Sequence, residues 1–254
     1  MLSPYATRIL ICFACLPLQD ALGLQATIVS RENLAFDVLS KSLSNGDRAV
    51  GLLNNGSTSS SYSIPISRIG WTKDLGCELE ATESFSGNKT SVNACDENAA
   101  LSTTLASHEV VVWRISNGGK GGWESTGAIF NSASLACLTM AGSSVTWETC
   151  NASDGQVWTV GKKGNYIKNT AAGTCLSAST NGTLSLTKCA SGLKETVFTY
   201  DTSGNIKSPI MNYQCLTAGD DGTASLASCL NLANTQVFEL PSGESQVSFL
   251  NQLC

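Results

Sequence analysis

Charge is scarce in this chain. Only 14% of its 254 residues are charged, and the net charge is −5. With no stripe of Lys and Arg to neutralise phosphates, nucleic acid is excluded as an expected partner. A single histidine, His108, is present. A Ser-His-Asp site would have to use it, and its place in the Ala106-Ser107-His108 lead-in to an apolar run reads as a turn. One histidine beside paired cysteines makes no structural zinc site, so no metal and no cofactor are expected. Long apolar runs are missing as well. The best, Ile9 to Leu18, is about ten residues, too short to span a bilayer, and no membrane partner is expected. Over residues 24 to about 115, sustained i, i+3, i+4, i+7 apolar spacing is also lacking, which leaves helix a minor component there.

Cysteine is abundant, with 11 residues, and it points to an oxidising compartment and a secreted, extracellular protein. Four sequons agree with that reading, at Asn55, Asn88, Asn151 and Asn181. Residues 1–23 have the form of a leader: Arg8, the apolar run, then small residues at Ala21-Leu22-Gly23. The Cys12-x-x-Cys15 spacing inside the run is assigned no redox role.

Residues 24–116 carry short β-type runs: 26–29, 36–39, 49–53, 62–66 and 110–115. Between the second and third lies Asn45-Gly46, a hairpin signal, and the pattern predicts an antiparallel sandwich. In the acidic cluster Glu78, Glu80 and Glu83, the first two would share one solvated face of a strand. Residues 117–122, rich in glycine, form the expected flexible linker and domain boundary.

Residues 123–254 contain a repeat. The motif Cys-Leu-x recurs at Cys137, Cys175 and Cys215, a second cysteine at Cys150, Cys189 and Cys229, and an aromatic at Trp158, Phe198 and Phe238. The period is about 40 residues, too short for one unit to bury its own apolar face, so three units must share a core. Only the pairing 137–150, 175–189 and 215–229 respects the threefold pattern. Cys77 and Cys95 are candidates to pair across a sandwich loop, which leaves Cys254 single or paired with a cysteine outside this chain.

Three copies of Cys-Leu-x…Cys…Gln-x-Trp/Phe resemble the ricin B-type lectin family, which implies a β-trefoil over roughly residues 123–240. That resemblance implies a core position for each aromatic of the Gln-x-Trp. The first half resembles the C-terminal β-domain of family 27 glycoside hydrolases, the α-galactosidases. The stretches that carry this likeness are Ser42 to Asn54 (SLSNGDRAVGLLN) and Ala106 to Ile115 (ASHEVVVWRI), with Glu83-Ser84-Phe85-Ser86-Gly87 as a degraded turn. Gln19 to Ala26 resembles the segment that leads into this β-domain. On that reading the leader is instead a foreign or truncated start, and both readings stand. The fold class implied is all-β, a sandwich followed by a trefoil.

Retaining glycosidases need two carboxyl groups about 5–5.5 Å apart, which this family places on a barrel of roughly 250 residues. The barrel motif is absent, so no catalytic residue is assigned. In sugar-binding trefoils of the family an Asp stands two residues after the first cysteine, and a stacking aromatic two before the second. Here those positions hold Thr139, Ser177 and Thr217, and then Glu148, Thr187 and Ala227. The candidate carbohydrate contacts are therefore Thr139, Glu148 and Asp154 in the first unit, and Thr217, Asp220 and Asp221 in the third. The expected function is the non-catalytic C-terminal portion of a secreted α-galactosidase, with galactose-containing oligo- or polysaccharides as partners. The alternatives are a stand-alone secreted galactoside-binding lectin, or an α-galactosidase whose barrel is lost by truncation.

Overall fold

The computed structural model describes residues 26–32, 35–161, 166–190, 192–200, 203–231 and 233–241. The leader, its Cys12-x-x-Cys15 and Cys254 lie outside the described residues. No α-helix occurs among those described.

The first module is built from β1 (Thr27–Glu32), β2 (Phe36–Ser42), β3 (Arg48–Asn54), β4 (Ser60–Pro65), β5 (Glu78–Glu83), β6 (Lys89–Asn93), β7 (Ala100–Leu105) and β8 (Val110–Ser116). Six of these form an antiparallel sheet in the order β1-β2-β3-β8-β5-β6, and β4 pairs with β7. The core between the sheets holds Val38, Val50, Leu52, Ile64, Leu101 and Ile115. Strand β5 alternates as expected: Glu78 and Glu80 are exposed while Leu79 and Ala81 are buried. Glu80 meets Lys89 across the strands at 2.9 Å. His108 sits in the β7–β8 turn in the left-handed region, φ 59°. Cys77 and Cys95 are bonded.

Strands β1 to β3 read differently, because nearly every residue in them is buried. Successive side chains of a strand point to opposite faces. Val29 and Val38 face the sandwich core, whereas their neighbours Ile28 and Leu39 face the second module. Continuous apolar burial is what a sheet covered on both sides requires.

The second module consists of β9 (Ser125–Gly127), β10 (Phe130–Asn131), β11 (Ala136–Ala141), β12 (Ser144–Thr149), β13 (Trp158–Val160), β14 (Ile167–Asn169), β15 (Thr174–Ala178), β16 (Leu184–Lys188), β17 (Thr199–Tyr200), β18 (Ile206–Ser208), β19 (Gln214–Ala218) and β20 (Ala224–Ala227). Three hairpins, β11–β12, β15–β16 and β19–β20, repeat along it, each stapled by its own disulfide: 137–150, 175–189 and 215–229. The repeated Leu138, Leu176 and Leu216 and the aromatics Trp158, Phe198 and Phe238 fill one shared core, all at most 1% exposed. The fold is all-β, a sandwich followed by a β-trefoil.

The glycine-rich segment 117–122 differs from a free tether. Asn117 Nδ2 donates to Gly121 O at 3.0 Å, and Trp123 Nε1 donates to Gly46 O at 3.1 Å. Trp123 packs into the sandwich core. The segment therefore lies against the Asn45–Gly46 turn, where a side chain at Gly46 would come within 2.8 Å of Gly119 O.

The modules meet along β1. Ala128 N donates to Val29 O at 2.8 Å, Thr27 Oγ1 to Leu240 O at 2.7 Å, and Ile28, Leu39, Ala128 and Phe130 form an apolar cluster between them. Arg31 is buried, bonded twice to Asp37 at 2.5 and 2.7 Å, and stands over the Phe130 ring at 4.7 Å. Glu239 closes this seam, its Oε2 accepting the Ile28 N–H at 3.4 Å. Burial pushes the Glu239 carboxyl above its ordinary range, outweighing the Ile28 N–H and Arg31, and Asp37 adds to the rise. The folded chain therefore keeps a proton that the unfolded chain releases near its ordinary value of 4.5. Stability from this group is present in acid and lost as the pH rises from there through the raised value. Glu239→Gln is expected to flatten that decline. The check is the melting temperature followed from about pH 4.5 toward neutrality in both proteins. Parallel curves would refute it.

Candidate saccharide site

Each unit of the trefoil offers the same frame. A stapled hairpin is followed by a short 3-10 turn: Asp154–Gln156, Lys194–Thr196 and Asn234–Gln236. In the first unit Gln156 Nε2 donates to Thr139 Oγ1 and to Thr149 O, each at 3.0 Å, while its Oε1 accepts from Asn151 N at 2.9 Å. The third unit repeats this. Gln236 Nε2 donates to Thr217 Oγ1 and to Ser228 O at 3.0 Å, and its Oε1 accepts from Leu230 N at 2.8 Å. The second unit has Thr196 in place of the glutamine, and its hydroxyl turns to Leu193 O at 2.9 Å.

Thr139 and Thr217 are thus engaged on both sides of the hydroxyl. Thr139 donates to Cys137 O at 3.0 Å and Thr217 to Cys215 O at 3.1 Å, while each accepts from its glutamine. Both hydroxyls tie the hairpin to the 3-10 turn. Ser177, the equivalent residue of the second unit, is buried.

Register decides which other candidates share that face. Cys137 stands opposite Glu148, and Thr139 opposite Thr146. These four side chains lie on one face of the hairpin, with the disulfide at its end. Glu148 is exposed and accepts from Thr146 Oγ1 at 2.9 Å. In the other units the place of Glu148 is taken by Thr187 and Ala227. The first unit alone brings an exposed carboxylate beside the glutamine-anchored threonine. Trp147, one residue from the usual stacking position, is buried and lies parallel to Phe238 with ring centres 4.8 Å apart.

Asp154 belongs to the same unit, but its carboxylate meets the sandwich. Arg68 donates to Asp154 Oδ1 at 2.8 Å and to the Ala152 carbonyl. Arg68 sits in the 3-10 turn Ile66–Ile69, more than 80 residues away in the chain. No local pattern marks it, and sequence reading missed it. Asp220 and Asp221 occupy the β19–β20 turn, away from Gln236. Asp221 Oδ1 accepts from Thr223 N at 3.0 Å and Thr223 Oγ1 at 2.8 Å. These bonds to Thr223 hold the carboxyl below its ordinary range. Thr217 and the two aspartates of the third unit are therefore not one cluster. Of the sequon asparagines, Asn88, Asn151 and Asn181 are exposed and Asn55 half-buried.

Residues 35–115 match the α-galactosidase C-terminal β-sandwich domain, and residues 79–189 match the ricin-type β-trefoil lectin domain. The α-galactosidase A of Aspergillus niger is 35% identical over 231 residues, covering 89% of this chain and 40% of that protein. The chain is related to the fungal α-galactosidases. A second relative, the "Probable alpha-galactosidase A" of Aspergillus clavatus, is 34% identical over 226 residues, with the same shares of 89% and 40%. The chain therefore spans about two-fifths of the length of these α-galactosidase relatives, and that share contains the α-galactosidase-type sandwich and the ricin-type trefoil. Among solved structures, the β-trefoil lectin of the Vibrio vulnificus hemolysin/cytolysin with N-acetyl-D-lactosamine bound covers 48% of this chain and 96% of its own, at 19% identity and a TM-score of 0.40.

Proposed function

We propose that the chain is the non-catalytic, carbohydrate-recognising portion of an extracellular α-galactosidase, an enzyme class that hydrolyses terminal α-D-galactosyl residues. The observation that carries this is the homology to α-galactosidases along 89% of the chain, which takes in both modules. Four disulfides suit an oxidising compartment outside the cell. The trefoil then holds galactose-containing oligo- or polysaccharides near the enzyme's substrate. Its first unit is the best equipped to do so: Glu148 is an exposed acceptor for sugar hydroxyls on the hairpin face it shares with Thr139.

Titration calorimetry with galactose and galactomannan oligosaccharides tests this. Saturable binding is expected, weakened about tenfold or more by Glu148→Ala, which is about 1.4 kcal/mol. The double variant Asp220→Ala/Asp221→Ala is expected to bind as the parent does, because Asp221 is bonded to Thr223 and both aspartates lie in the hairpin turn, at the opposite end from the Cys215–Cys229 disulfide. Absence of heat at saturating sugar would leave the trefoil a structural spacer. Binding lost in the third-unit variant alone would move the site there.

A further inference from the structure

The exposed sequon Asn181-Gly182-Thr183 lies within a trefoil hairpin. It forms the turn of the β15–β16 hairpin, where Asn181 Oδ1 accepts from Thr183 N at 3.1 Å and from the Ser179 hydroxyl. The oxygen is thus turned into the hairpin, which leaves Nδ2, the atom that takes a glycan, for substitution. The third hairpin has the same turn, with Gly219 N bonded to Thr223 O as Ser179 N is to Thr183 O. There Asp221 stands where Asn181 does, and a carboxylate offers no nitrogen.

The three hairpins converge at this end of the trefoil. Trp147 N donates to Gly222 O at 2.7 Å, and Leu186 N donates to Ser143 O at 2.8 Å. Between the hairpins lies a groove of about 610 Å³ that Asn181 itself lines. Met211 and Leu226 supply apolar surface over a floor of buried Val145 and Leu184, and Thr146 and Ser225 supply hydroxyls; no charged side chain lines it. Apolar patches interleaved with neutral hydroxyls match a pyranose, which has a C–H face and a polar edge.

We propose that Asn181 carries an N-linked glycan whose first two N-acetylglucosamine residues lie in this groove. The donor is a lipid-pyrophosphate-linked oligosaccharide. The Nδ2–C1 bond forms as the C1–O bond to the pyrophosphate breaks, one amide hydrogen leaves as a proton, and the lipid pyrophosphate departs. Attachment through a short tether holds the sugars at an effective concentration of about millimolar or above, so contacts too weak to capture free sugar suffice. The glycan then covers apolar surface that the three hairpins leave open.

The test uses the full chain secreted from a eukaryotic host, with site occupancy mapped by peptide mass. An endoglycosidase that cuts between the two N-acetylglucosamines is followed on native and on denatured protein. Asn181 is expected to be occupied and trimmed about tenfold or more slowly in the native state, a difference that denaturation abolishes. Ser225→Glu, a surface change that leaves the sequon intact, is expected to preserve occupancy and speed native trimming. An unoccupied Asn181, or equal rates on native and denatured chains, overturns the proposal.

Discussion

Trp158→Ala is expected to lower the folding free energy by about 3–5 kcal/mol, the usual cost of emptying a large buried aromatic site. Trp158 is fully buried, and its Nε1–H donates to Leu138 O at 2.7 Å. Alanine would therefore open a cavity in the shared core and leave the Leu138 carbonyl without this donor. The other two units carry Phe198 and Phe238 at this place, so the core accepts a smaller ring. Trp158→Phe is accordingly expected to cost less, about 1–3 kcal/mol, most of it from the lost bond. Urea denaturation of the three proteins measures both values. A loss under about 1 kcal/mol for the alanine variant, with sugar binding reduced, would make this indole a ligand platform instead of a core residue.

Gly127→Ala should strongly damage the seam between the modules. Gly127 has φ +151°, and a Cβ there would stand 2.5 Å from Val29 Cβ and 2.7 Å from Val29 Cα. Neither neighbour is the tip of a flexible side chain, so β1 and β9 must separate. That loosens the Ala128–Val29 bond and the Ile28–Phe130 cluster beside it. A loss of about 2–4 kcal/mol is expected, from overpacking and backbone strain together. Gly87→Ala is the control: φ is +75°, yet nothing lies within 4 Å of the added carbon, so only strain of about 1 kcal/mol is expected. Thermal melts of the two variants separate the effects. Equal losses would mean that contact with Val29 does not limit the seam.

Much of the fold is legible because its causes are local. Asn45-Gly46 makes the β2–β3 turn, and apolar runs at 36–39, 49–53 and 110–115 become β2, β3 and β8. Strands β6 and β7 were not among those runs. Val92 is the single buried residue of β6, and in β7 only Leu101 and Leu105 are fully buried, so polar faces dilute the alternation. The candidate site is legible by half. Equivalent positions in each unit follow from counting, but the state of Thr139 and Thr217 does not. Their hydroxyls are committed to Gln156 and Gln236 by a turn 17 to 19 residues on.

By itself the sequence determined the three repeat units, their disulfide pairing and the strand-rich module that precedes them, while the trefoil and the buried aromatic of each unit were implied by the resemblance to ricin B-type lectins. A repeat with a fixed period writes the same short-range contacts three times, and each copy supports the reading of the others. Only the tertiary structure decided how the modules join. Thr27 meets Leu240 and Ile28 meets Glu239 across more than 200 residues, and Arg68 reaches Asp154 across 86. Such contacts depend on which sheet face each strand turns outward and on the path of the chain between them. No window of sequence contains both partners. The burial that raises the Glu239 carboxyl and the groove beside Asn181 arise in the same way, from surfaces that exist only once the strands have packed.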